Sequence, residues 1–211
     1  MVMTLRVEGV TSQMRFSHDT ELTLRAACVL VNSDRGGGDG STDRPIDRMA
    51  DQDALDRYLD GHGWTGRRDR DAAELDAVHR LRDRLGRIWA VAADEEHAVA
   101  RVNELLADTR ATPWLTRHPE MPEWHLHLAS DDDPLAQRMG AEMAMAMADL
   151  IRAGELRRLK TCAAADCQAV LVDMSRNRSR MFCDTGNCGN RQHVAAYRER
   201  RANGPVVDSD R

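Results

Sequence analysis

Lysine is almost absent from this 211-residue chain: Lys160 is the only one, and arginine carries the rest of the positive charge. A GC-rich genome would produce the same bias, so the imbalance is not in itself recognition chemistry. Aromatic residues make up 4% of the chain, so its core must rest on Leu, Met, Val and Ala. No apolar run approaches the ~20 residues of a membrane-spanning helix. Residues 1–10 lack the basic start and continuous apolar core of a signal peptide, and the expected compartment is cytoplasmic, where thiols stay reduced. A glycine-rich loop at 35–45 is not followed by the lysine of a phosphate-binding loop. Histidines and acids occur without spacing that commits them to a nucleophile, and no enzyme is expected.

What is present is a cysteine pattern. Cys162 and Cys167 form one pair, Cys183 and Cys188 another, with four residues inside each pair and fifteen between them. Two knuckles of this kind, joined by enough chain to fold back, suit one tetrahedral zinc ion. Four thiolates leave no position for a catalytic water, so the zinc is expected to be structural and to supply folding energy to a unit too small for its own core. A redox-sensing thiol cluster or two disulfides would use the same residues. Cys28, the fifth cysteine, stands in an apolar run and reads as a small buried residue.

Arginine gathers around these knuckles. Arg176, Arg178 and Arg180 alternate with Ser and Asn between the pairs, and Arg191, Arg198, Arg200 and Arg201 follow the last cysteine. Gly189 is expected to turn with positive φ and Asn190 to cap a helix over 192–202. Residues 151–201 carry a balance of +6, whereas residues 1–150 carry −10. An acidic body with a basic end is the asymmetry expected when one module meets a polyanion. Arg176, Arg178, Arg180, Asn190, Arg191, Gln192, Arg198, Arg200 and Arg201 are therefore the candidate DNA contacts, with about five phosphates predicting a log–log salt slope near −4 to −5.

The run Cys188-Gly189-Asn190-Arg191 resembles the motif that names the CGNR zinc finger. Asp173, Ser175, Arg176, Asn177, Arg178, Ser179 and Arg180 are similar to the pattern preceding that family's second knuckle. In such proteins the finger closes a longer chain whose N-terminal part is the ABATE domain, and they are described as stress-induced transcription regulators. The resemblance implies double-stranded DNA as a partner and a sensing or oligomerising role for the body. A homodimer and a small-molecule effector are the further partners it allows.

Along the body, residues 14–25 alternate loosely and read as a hairpin, and 26–32 is a short apolar run of either type. Apolar residues at helical spacing predict helices over 47–60, 70–93 and 94–109. Pro113, Pro119 and Pro122 suggest an irregular crossing, followed by one exposed or edge strand in which Trp124, Leu126 and Leu128 alternate with His125 and His127. The two histidines project from one side and would suit a second metal site, for which no third ligand lies nearby in sequence. Asp131 to Asp133 and Pro134 open a helix running to about 153, whose Met139, Met143 and Met147 form an apolar face suited to core, pocket or dimer seam.

The expected fold is mainly α: a helical domain at 1–153 with a small β element, a four-cysteine zinc finger at 156–203 ending in a helix, and a flexible tail at 204–211. The expected function is zinc-dependent DNA binding by a transcription regulator. A protein–protein interaction module and a thiol redox switch are the alternatives.

Overall fold

The computed structural model describes residues 16–35, 47–118 and 121–202. Residues 1–10, the glycine-rich loop beyond Arg35 and the tail at 204–211 lie outside the described residues.

Helix α1 (His18–Val31) replaces the hairpin expected from residue 14 onward, of which residues 14 and 15 fall outside the described residues. Leu24, Ala27, Leu30 and Val31 recur at three- and four-residue steps and are all buried, whereas the alternation ahead of them places no comparable row on one face. Three further helices each start behind an aspartate. Asp51 caps α2 (Gln52–Gly61), Asp71 caps α3 (Ala72–Ala90) and Asp94 caps α4 (Glu95–Asp108), the carboxylates accepting from Ala54, Glu74 and His97 N–H at 2.8, 2.8 and 3.2 Å. Helix α5 (Leu135–Arg152) begins just after Pro134 and is followed, past its Ala153 cap, by Gly154, whose φ of 66° belongs to the left-handed region.

The core lies where α1, α3, α4 and α5 meet. Met139, Met143 and Met147 are completely buried there, which makes the methionine face of α5 core. Gly140 admits α4: a Cβ at that position would stand 2.8 Å from Thr109 Cγ2.

The segment expected as an irregular crossing plus one strand is an antiparallel hairpin, β1 (Trp114–His118) with β2 (Met121–His127). Pro113 precedes the first strand and Pro122 lies near the start of the second, positions that an isolated two-stranded ribbon tolerates. The facing of β2 is the reverse of what its composition suggests. His125 is 9% exposed, while Trp124 is 65% exposed.

A short 3-10 turn (Leu156–Arg158) leads into a second hairpin, β3 (Leu159–Thr161) with β4 (Val170–Val172). Leu159, Val170 and Val172 belong to the same buried cluster as the helices, so the C-terminal unit shares the body's core through this hairpin. Polar contacts reinforce the junction. The Asn32 side chain at the end of α1 accepts from Val170 N–H at 2.7 Å and donates to Val170 C=O at 2.8 Å. Trp89 on α3 donates to Leu171 C=O. Helix α6 (Cys188–Ala202) is the last element among the described residues.

Candidate metal centre

The first knuckle is the loop between β3 and β4. Cys162 N–H donates to Ala169 C=O at 2.8 Å and Cys167 N–H to Ala164 C=O at 3.0 Å, a turn that aims both thiols inward. The second knuckle spans Cys183 to Cys188, and Ala163 N–H ties the two together by donating to Met181 C=O at 2.8 Å. All four cysteines are buried, in a cluster of their own with Ala164, Ala169 and Leu171 and with Phe182 against it.

Their sulfurs converge within 4.8 Å of one another. Cys167 Sγ lies 3.6 Å from Cys183 Sγ, which lies 3.7 Å from Cys188 Sγ. Four thiolates at the ordinary zinc–sulfur distance of about 2.3 Å stand about 3.8 Å apart, so the donor set fits one zinc ion. A disulfide would need about 2.05 Å, and none of the five cysteines is joined in one. Burial pushes the Cys183 thiol up to about 12 and raises that of Cys188. A bound dication is what would make thiolates stable here, displacing the protons.

Polar groups brace the cluster. Cys183 N–H donates to Cys162 Sγ at 3.4 Å. Arg191 makes a two-pronged ion pair with Asp166 at 2.7 and 3.1 Å and donates to Cys188 Sγ at 3.4 Å, clasping one knuckle to the other. Asp166 lies between the two ligands of the first knuckle. Asp173, a residue of the motif quoted above, is fully buried and is held not by Arg191 but by a different set of donors. Lys160 Nζ donates to it at 2.6 Å, Ser175 Oγ at 2.5 Å and Arg180 N–H at 2.9 Å. Burial alone would raise the Asp173 carboxyl, but these donors hold it down at about 2. Lys160 also donates to Arg178 and Arg180 C=O at 2.6 and 3.0 Å. The chain's single lysine thus shapes the arginine loop, a role that its isolation in the sequence could have signalled.

The candidate DNA contacts divide into two groups. Arg178 pairs with Glu155 at 3.2 Å, Arg180 pairs with Asp184, and Arg191 is the clasp just described. Arg176, Asn190, Gln192, Arg198, Arg200 and Arg201 are exposed. Two expectations are corrected. Helix α6 starts at Cys188, so Asn190 sits inside its first turn rather than capping it. The positive φ falls on Asn187, at 49°, and Gly189 is helical, packed beside the Phe182 ring. The last thiol is therefore presented from a helix start, which sets the turn one residue before the cysteine.

A family model described as "Putative stress-induced transcription regulator" (ABATE) matches residues 24–154, and a model for the CGNR zinc finger matches residues 158–201. No curated protein matches the chain.

Proposed function

The chain belongs to the ABATE family and ends in a CGNR zinc finger, and from that premise we propose that it is a zinc-dependent regulator whose finger grips duplex DNA. The observation that carries this reading is the exposure of α6. From Gln192 to Arg201 every residue faces solvent, Arg198, Arg200 and Arg201 among them, and Arg176 in the loop between the knuckles is exposed as well. Such a cationic surface next to a rigid metal centre suits a phosphate backbone. Zinc acts structurally, through Cys162, Cys167, Cys183 and Cys188. Gln192, with His193 beside it, would in this reading reach a base edge, with Asn190 near the metal. In this reading residues 1–153 form the sensing or oligomerising domain, 156–203 the finger and 204–211 a tail.

Fluorescence anisotropy with labelled genomic duplexes tests the reading. Zinc-loaded protein should bind at low salt, and the Cys188→Ser variant should not. Sequencing the retained fragments would then give the site. A zinc-loaded protein that ignores duplex DNA would instead favour a protein partner. For that second reading the specific observation is that Val194 and Tyr197 are 40% and 54% exposed among the arginines, a stripe that an acidic, apolar groove would accept.

A further inference from the structure

A cleft opens where the body meets the finger. The end of α1 and the turn after it line one part, α2 with the residues just ahead of it another, and Thr185 reaches it from the second knuckle, between Cys183 and Cys188. Its volume is about 350 Å³, within the range of about 300–1,000 Å³ usual for small-molecule sites. The cavity that contains Glu142, between α1, the β1–β2 hairpin and α5, is smaller at about 210 Å³ and falls below that range.

The charge of the cleft runs against that of the body. Residues 1–150 balance at −10, yet Arg48, Arg57 and His62 line the cleft and, among the described residues, no carboxylate does. Asp47, the acid next to Arg48 in sequence, is committed to Arg82 at 2.8 Å. Neither Arg48 nor Arg57 pairs with a carboxylate among the described residues. Such guanidinium groups keep their forked donors for a carboxylate brought by a ligand. Much of the remaining lining is apolar. Met49, Ala54 and Tyr58 are buried, whereas Val29 on α1 is 48% exposed. A ligand with an apolar body would take Val29 out of water.

We propose that this cleft binds a small organic carboxylate, its charged end meeting Arg48 and Arg57 and its apolar end Val29. Because Thr185 stands between two zinc ligands, an anion that needs Thr185 in place binds more tightly when zinc holds the knuckle, and zinc binds more tightly in return. Such a ligand would fill the sensing role given above to residues 1–153, and its regulatory meaning rests on that reading; binding itself is measured without DNA.

The test titrates benzoate into the full zinc-loaded chain and follows the amide NMR signals. Saturable shifts are expected at Val29, His62 and Thr185. Benzamide, the neutral analogue, should bind about tenfold more weakly. The Arg48→Gln/Arg57→Gln variant, altered only at exposed side chains, should lose about tenfold in affinity with its zinc content unchanged. In competition with a chromophoric chelator, saturating benzoate should raise the apparent zinc affinity about fivefold. Absence of a saturable shift, shifts confined to other residues, or undiminished binding by the double variant would overturn the site. Inorganic phosphate binding as tightly as benzoate would overturn the apolar half of the proposal, and an unchanged zinc affinity would overturn the coupling. Benzoate binding by a protein that ignores duplex DNA would support the cleft and count against the DNA-binding reading alone.

Discussion

Arg191 is the residue whose role changes most once its neighbours are known. A motif arginine beside a basic helix invites a phosphate, yet its guanidinium is committed to Asp166 and to the sulfur of Cys188. Lysine cannot reproduce a two-pronged pair plus a third contact. Arg191→Lys should therefore lower zinc affinity about tenfold, read by competition with a chromophoric chelator. Arg198→Ala, on the exposed part of α6, should leave zinc affinity unchanged. Asp173 gives a second residue-scale expectation. Its folded carboxyl titrates at about 2, below its ordinary 3.8, so its contribution is present above pH ~4 and is lost as pH falls toward 2. Wild-type stability should drop by about 2 kcal/mol more than that of Asp173→Asn across that interval, measured by urea unfolding at successive pH values. The four ligands were legible from sequence because spacing alone defines them. The clasp was not, since Arg191 and Asp166 stand 25 residues apart and only the closed knuckles bring them together.

At the scale of elements, helix α1 decides how the finger is carried. Its last turn and cap hold β4, with Asn32 acting as a third strand would, bonding both the N–H and the C=O of Val170. Its first turns line the cavity that contains Glu142. Removing the amide leaves two backbone groups of a buried strand with poorer partners, although the Cys28 thiol still donates to Val170 C=O. Asn32→Ala should cost about 2 kcal/mol in global stability and should speed hydrogen exchange at the Val170 amide more than at amides in α3. An unchanged Val170 exchange rate would mean that apolar packing alone seats the hairpin. Sequence reading found α2 to α5 because each carries an apolar stripe at helical spacing, but it began α2 at 47 rather than behind its Asp51 cap, at Gln52. It missed α1 as a helix because residues 14–25 alternate loosely, and the buried row that decides the matter begins late, at Leu24. The docking of β4 was invisible for a different reason. Three residues of strand carry no periodicity, and their partners lie 138 residues away in Asn32 and 82 away in Trp89.

At the scale of the molecule, an acidic body and a basic finger are fixed to one another through a shared core rather than hung on a linker. Residues 1–150 balance at −10 and residues 151–201 at +6, so a duplex gripped by the finger feels repulsion from the body at distances within a Debye length. The number of arginines free to meet phosphates then sets the affinity. Arg176, Arg198, Arg200 and Arg201 are exposed, whereas Arg178, Arg180 and Arg191 would each have to leave an internal carboxylate. Four contacts predict a log–log salt slope of about −3.6, and seven would predict about −6. The shallower value is expected because a phosphate offers an arginine little that its present carboxylate does not, and the freed carboxylate would then repel the DNA. Anisotropy titrations across a range of salt concentrations measure the slope directly, and Arg198→Ala should flatten it by about one. A slope close to −6 would show that binding opens the arginine loop and the clasp together, which would make zinc affinity fall as DNA binds.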